Sequence, residues 1–286
     1  MNKRLYMSVG IAVVLLTACS GTRAPSAGQG AQQSPGTPGA PGTVTAQSAA
    51  QTPNLAAGPE KTVRKPEPLT LAELHQKYRS TFLFNGPSSK RQVALTFDDV
   101  PDTKFTPQVL DVLKKYGVKA TFFAMGSRAA AHPEIVKRIV QEGHVIGNHT
   151  YSHPNLPKVS DDVFHNEVLG TERILADLAG YSPRLFRPPY GNINEGQIQW
   201  LASQHFYITN WNVDSLDWEG LNAKQVMSNV LGHVGAGSVV LQHGAGGTGE
   251  DLTGTVQALP RIIESLQSKG IRLVTLPELF DIPKSK

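Results

Sequence analysis

The chain has 286 residues, 40% of them hydrophobic, which suffices for one large domain or two small ones. Its formal net charge is only +4, and Lys3 and Arg4 sit in a segment that reads as a removable leader, so the field is too weak to argue for a nucleic-acid partner, although it suits an anionic cell wall. A single cysteine, Cys19, excludes an intramolecular disulfide.

The first element is the leader. In "MNKRLYMSVGIAVVLLTACSG" two basic residues precede an apolar run too short for a comfortable membrane span, followed by Leu16-Thr17-Ala18-Cys19. Residues 1–18 therefore read as a secretory signal. The L-T-A-C ending resembles a bacterial lipoprotein signal, in which the cysteine is lipidated and becomes the new first residue. That implies an acyl group on Cys19 and attachment to the outer face of the cell membrane. From 19 to 68 the composition is Gly, Pro, Ser, Thr, Ala and Gln with almost no large apolar residues, which predicts a disordered tether without core residues. Brief G-x-y triplets do not persist, so a collagen-like rod is rejected. "LTLAELHQKYRS" then predicts a short helix at the head of a folded domain, residues 69–286.

Beyond Lys90 strands and helices alternate. "QVALTF", "KATFFAM", "HVIGN", "RLFR", "FYITNWNV", "SVVLQH" and "RLVTL" read as strands. Between them lie the helical patterns "PQVLDVLKKYG", "PEIVKRIVQEG", "DDVFHNEVLGTERILADLAG", "EGQIQWLASQH", "AKQVMSNVLGHV" and "GTVQALPRIIESLQSKG", several with proline near the start or glycine at the end. Seven strands joined by helices predict an α/β fold with a parallel sheet, closed into a barrel or open.

In such folds chemistry collects at the carboxyl ends of the strands. Asp98 and Asp99 follow the first strand, His149 and His153 the third, Arg187 the fourth, and Asp214 and Asp217 the fifth, while His243 ends the sixth. Each alone has a bland reading as a helix cap, a loop histidine or a surface arginine. Their coincidence on one rim does not follow from solubility. Two histidines at i and i+4 on a helical turn point the same way and suit a zinc-type ion. Adjacent carboxylates repel unless a cation or an arginine holds them. With Asp99 as third ligand, the centre is His₂-carboxylate with open positions, and Asp98 is left to act as a base beside Arg187.

"TFDD", "HTYSH", "RPPYG", "DSLDW" and "LQH", in that order over Arg91 to Pro283, resemble the five motifs of the polysaccharide deacetylases, the family 4 carbohydrate esterases. The resemblance implies an irregular (β/α) barrel and a divalent metal, zinc with cobalt as a substitute, on Asp99, His149 and His153. It implies Asp98 as general base oriented by Arg187, the Tyr190 N–H at the oxyanion, and His243 as general acid partnered by Asp217. Tyr190, Trp218 and Leu241 would wall the substrate pocket. The implied substrate is an acetylated polysaccharide, first of all the N-acetylglucosamine of peptidoglycan, given the expected surface anchor, then chito-oligosaccharide or acetyl-xylan. A monomer without nucleic-acid partners is expected. One position departs from the family: a glycine usually follows the aspartate pair, and here it is Val100, which would strain the loop if that turn needs a positive φ.

Three rival readings are weaker. "GAGGTG" after the sixth strand matches a dinucleotide fingerprint with Glu264 downstream, but Glu264 falls in a predicted helix rather than at the next strand end. A catalytically inactive wall-binding protein would have lost a ligand or the base, and none is lost. G-x-S-x-G is absent, which leaves a serine hydrolase without support. His75, His132, His144, His165, His205 and His233 match no motif and read as helix, turn or surface residues.

Overall fold

The computed structural model of the protein describes residues 52–63 and 68–286. The leader, Cys19 and the tether as far as residue 51 lie outside the described residues. Among those described, no helix is long and apolar enough to cross a membrane.

Among the described residues, nine strands form one parallel sheet: β1 (Phe82–Leu83), β2 (Gln92–Val100), β3 (Thr121–Ala124), β4 (Val145–Asn148), β5 (Leu185–Phe186), β6 (Tyr207–Thr209), β7 (Val213–Asp214), β8 (Val239–His243) and β9 (Arg272–Val274). Their order is β1-β6-β5-β4-β3-β2-β8-β7, with β9 paired to β2 beside β8. Strand β2 is the hub. Its first residues, Gln92 to Ala94, pair with β9, and Ala94 to Asp98 pair with β8. Both faces of β2 are buried, as expected of a parallel sheet flanked by helices. Val93, Leu95 and Phe97 pack with Val109, Leu110 and Leu113 of the helix Phe105–Tyr116 and with Leu259 and Ile263 of the helix Thr253–Ser268. Ala94 looks the other way, toward Phe123, Val239 and Val274.

Two strands exceed the seven expected. Phe82–Leu83 follows the leading helix, Pro68–Lys77, and is too short to carry a periodic signal. "FYITNWNV" breaks in two because Asn210 to Asn212 turn the chain. Asn210 N–H donates to Leu83 O at 2.9 Å, whereas Asn212 Oδ1 accepts from Val239 N–H at 2.8 Å. The turn thus steps from one end of the sheet to the other within three residues, a span of roughly 10 Å of chain. The sheet is therefore curled almost into a barrel but stays open, with no ladder between β1 and β7.

Helix ends follow local rules. Gly117 and Gly180 close their helices at φ 65° and 74°. Asn194 and Asn222 form capping boxes with Gln197 and Gln225.

The positive φ that would have strained Val100 falls on Asp99 instead, at 66°, and Val100 is a buried strand residue followed by a cis bond to Pro101. Its Cγ1 lies where a side chain on Gly244 would begin, which explains the first glycine of "GAGGTG" by close packing. Within the stretch expected to be a tether, Leu55 and Glu60 are buried against the domain and a helical turn spans Glu60–Val63.

Candidate active site and metal centre

The register of β2 shifts between Phe97 and Val100, and Asp99 takes the left-handed conformation at this bulge. In a regular strand the two aspartates would point to opposite faces. The bulge instead brings both to the rim. Asp98 Oδ1 accepts from Arg187 Nη1 at 2.8 Å, and Asp99 Oδ1 lies 3.4 Å from His149 Nε2 and 3.2 Å from His153 Nε2.

The two histidines do not sit on a helical turn. They lie in the loop after β4, where Thr150 and His153 have φ of 65° and 64°. Thr150 N–H donates to Asn148 Oδ1 and His153 N–H to Thr150 Oγ1, so side chains of the loop itself hold this shape. Asn148 is in turn fixed by its Nδ2, which donates to Val168 O at 2.9 Å. His149 Nδ1 lies 2.7 Å from Arg187 O. A carbonyl can only accept, so Nδ1 carries the proton, and in the neutral ring Nε2 presents its lone pair to the centre.

The donor set fits a divalent cation. Asp99, His149 and His153 are all buried, with one ligand atom from each within 4.8 Å of the others. Both carboxylate oxygens of Asp99 and both ring nitrogens of His153 are buried without a hydrogen-bond partner. A tetrahedral ion with bonds near 2.0–2.1 Å sets its ligands about 3.3–3.4 Å apart, close to the spacing here. Burial pushes the His153 pKa down to about 3, which keeps the ring neutral and able to ligate. Burial acts the same way on His149, but Asp98 and Asp99 outweigh it and raise its pKa, drawing a positive charge to the spot. For Asp99, burial is outweighed by the histidines His153, His149 and His243, which hold its carboxyl below the usual range.

Arg187 is fully buried. It ties Asp98 to Thr96 Oγ1 (2.7 Å), Thr209 O (3.0 Å) and Asn210 O (3.3 Å), and its guanidinium lies 4.2 Å from the Phe123 ring. Opposite, His243 Nδ1 meets Asp217 Oδ1 at 2.8 Å. Asp217 Oδ2 accepts from His243 N–H at 2.8 Å and from Thr255 Oγ1 at 2.7 Å. Burial would lower the His243 pKa, but Asp217 first and Asp99 and Glu60 after it raise it to about 10. Tyr190 lies in a tight turn at φ 60°, its ring edge-on to His153 at 4.5 Å. Trp218 Nε1 donates to Asp214 Oδ1 at 3.3 Å, and Leu241 is buried in β8. Asp214, noted for its strand-end position, also accepts from Leu216 N–H and shapes this turn.

Several neighbours had no usable signal in the sequence. Thr96 and Thr255 are ordinary strand and helix residues. Arg128 is the exception, since a lone charge in the alanine-rich helix Gly126–Ala131 is a cue. Fully buried, it donates to Asp99 O and Gly246 O at 2.7 Å each. Glu60 reaches the centre from a stretch whose composition pointed to disorder, with its Oε1 3.6 Å from His153 Nε2. His132, between two helices, and His144, before β4, are buried, and His144 Nδ1 accepts from Ala120 N–H at 3.1 Å. Glu264 pairs with Tyr116 and Arg261 on a helix, away from the "GAGGTG" loop.

Comparison with known proteins agrees with this geometry. Residues 85–215 match the family described as polysaccharide deacetylase. A peptidoglycan-N-acetylglucosamine deacetylase of Bacillus cereus is 53% identical over 211 residues, which cover 74% of this chain and 75% of that protein. The peptidoglycan-N-acetylglucosamine deacetylase PgdA of Listeria monocytogenes is 38% identical over 67% of this chain, and the match spans only 39% of PgdA. The crystal structure of the Bc1960 peptidoglycan N-acetylglucosamine deacetylase, bound to a naphthalenyl N-oxidanyl-benzamide, aligns with a TM-score of 0.73 at 52% identity over 76% of this chain and 100% of that one. Sequence, fold and a buried His₂-carboxylate cluster coincide, and the chain belongs to the polysaccharide deacetylases, the metal-dependent hydrolases of carbohydrate esterase family 4.

Proposed function

We propose that this enzyme removes N-acetyl groups from the N-acetylglucosamine of peptidoglycan, with zinc as its ion and cobalt as a working substitute. The observation that carries the reading is the pair of buried ion pairs at the Asp99–His149–His153 cluster, one presenting a carboxylate and the other an imidazole. The names of the Bacillus and Listeria relatives support the choice of polymer.

Asp99, His149 and His153 would hold the ion, which when bound supplies Lewis-acid polarisation of water and of the acetyl carbonyl. Asp98, kept in place by Arg187, accepts the proton of the attacking water. The Tyr190 N–H donates to the developing oxyanion. An amine leaves poorly unless protonated, and His243 delivers that proton from Nε2 while Asp217 keeps the ring cationic. Tyr190, Trp218 and Leu241 offer apolar contact to the acetyl methyl and the sugar face. The products are acetate and a free amino sugar.

The location proposed is the outer face of the cell membrane. Residues 1–18 are removed, an acyl group on Cys19 anchors the chain, and the Gly-, Pro- and Ser-rich stretch that follows tethers the catalytic domain. Cys19→Ser should release the protein to the medium or leave an unprocessed precursor, and normal membrane retention refutes the anchor.

For the substrate, the purified protein is incubated in parallel with intact wall, chitin oligomers and acetylated xylan, and acetate and new primary amines are measured. Acetate with new amines from wall and chitin is expected. Release from O-acetylated xylan alone would overturn the sugar assignment and leave the metal chemistry standing.

A further inference from the structure

The packed stretch at residues 52–63 lies against the loops that build the active site. Ala56 N–H donates to Ser152 O at 2.6 Å, between the two ligand histidines in sequence. Tyr190 Oη donates to Gly58 O at 3.2 Å, and Arg128 Nε donates to Pro53 O at 3.0 Å. Glu60 N–H donates to Glu250 Oε1 at 3.1 Å, and the Thr248 hydroxyl donates to the Asn54 side chain, both in the loop after His243. Leu55 is 5% exposed and Glu60 only 3%. A passive spacer has no cause to bury a leucine and a glutamate or to engage three separate site loops.

The position of Glu60 is specific. Its Oε1 lies 3.6 Å from His153 Nε2 and 4.0 Å from His243 Nε2. Glu60, Asp99 and His243 form a second buried group whose ligand atoms lie within 4.8 Å of one another. Two carboxylates buried together repel unless a cation lies between them, so Glu60 and Asp99 both favour an ion there. The spacing of Glu60 to His153 is close to that of neighbouring ligands on one ion. The side chain also ends in a carboxylate on a methylene, the same chemical group as acetate, the product of deacetylation.

We propose that residues 52–63 form an intrachain plug, with the Glu60 carboxylate seated at the metal centre in the place that the substrate acetyl group and product acetate must use. The inference rests on the Asp99–His149–His153 metal centre and not on the identity of the polymer. The polymer, or any small metal-binding anion, must displace the plug before it can bind. The closed state therefore lowers apparent affinity by the fraction of time the site is open, so a plug seated about 90% of the time weakens a ligand about tenfold.

The test uses the full chain loaded with cobalt and acetohydroxamate as the probe. Glu60→Ala and Glu60→Gln should bind acetohydroxamate about tenfold more tightly than the native chain and should alter the visible absorption of bound cobalt in its absence. In the native chain, saturating acetohydroxamate should speed tryptic cleavage after Lys61, an exposed residue beside Glu60. That readout needs no variant. Equal acetohydroxamate affinity, an unaltered cobalt spectrum and Lys61 cleavage indifferent to the probe overturn the plug. Weaker cobalt binding in Glu60→Ala with unchanged acetohydroxamate affinity also overturns it and makes Glu60 an ordinary ligand. A native chain that takes up no cobalt defeats the metal centre and the plug with it, whereas cobalt binding without acetate release from any polymer leaves the plug standing and defeats the substrate.

Discussion

Asp98–Arg187 and Asp217–His243 are both buried carboxylate–cation pairs, yet they face the metal centre in opposite senses. In the first the carboxylate points inward, with Asp98 Oδ2 3.8 Å from His149 Nε2 and the arginine behind it. In the second the imidazole points inward and the carboxylate stands behind. In the proposed mechanism the inward member takes or gives the proton, and the outward member fixes its charge and orientation. The two pairs also differ in reach. Arg187 joins β2 to Thr209 of β6 and to the Asn210 turn, so the base side also braces the sheet. Asp217 ties only its own turn to β8 and to the start of the helix Thr253–Ser268.

The largest effect comes from removing what both pairs serve. Asp99→Ala, His149→Ala or His153→Ala should each cut acetate release by orders of magnitude and lower bound metal. A chelator should silence the native enzyme, and zinc or cobalt should restore it. Metal analysis beside turnover is the check, and normal turnover in fully stripped protein would defeat the centre. Next is the base side. Asp98→Asn should lower kcat by roughly 10²–10⁴-fold with metal content unchanged. Arg187→Lys keeps the charge but loses the fork that reaches four partners, so it should depress both activity and thermal stability. An Arg187→Lys protein that is slow yet as stable as the native one would remove the bracing role.

The acid side is sharpened by pH. As the acid proposed above, His243 must be protonated to act, so kcat/KM should fall as pH rises through its pKa, which burial lowers and Asp217, with Asp99 and Glu60, raises to about 10. A divalent ion beside Asp99 offsets part of that pull, so the upper limb of the active enzyme lies lower. Asp217→Asn removes the main anion and lets burial dominate, moving the upper limb to lower pH with metal content unchanged. A limb that stays in place means Asp217 does not tune His243.

The contrast also marks what could be read from the residues. Asp98, Asp99, His149, His153, Arg187, Asp217 and His243 stand at strand ends, and strand ends in a parallel α/β sheet share one rim, so their convergence was legible. The route was not. The bulge at Asp99 and the two left-handed residues of the His149–His153 loop have no periodic signature, because each depends on partners distant in sequence or on side-chain bonds within the loop. Asn210 to Asn212 hid the strand break because the flanking apolar pattern runs on through them. Composition failed for Glu60, since a window rich in Gly, Pro and Ala reports on what a segment can bury alone and not on what it can borrow from a neighbour.

The smallest expected effect separates orientation from charge on the acid side. Asp217 Oδ2 accepts from Thr255 Oγ1 as well as from His243 N–H. Thr255→Val keeps the shape and removes only the hydroxyl, leaving a fully buried carboxylate one donor short. Loss of a hydrogen bond to a buried charged group costs about 1.5–3 kcal/mol, visible as a lower Tm. The charge is untouched. With one donor gone the carboxylate is less neutralised by its surroundings, so His243 should hold its proton as tightly as before or slightly more. The upper limb of kcat/KM should then stay or move slightly to higher pH, opposite in sign to Asp217→Asn. If Thr255→Val instead moves the limb downward as Asp217→Asn does, the hydroxyl acts by positioning the carboxylate on Nδ1, and the high pKa of His243 depends on that alignment more than on the presence of the charge.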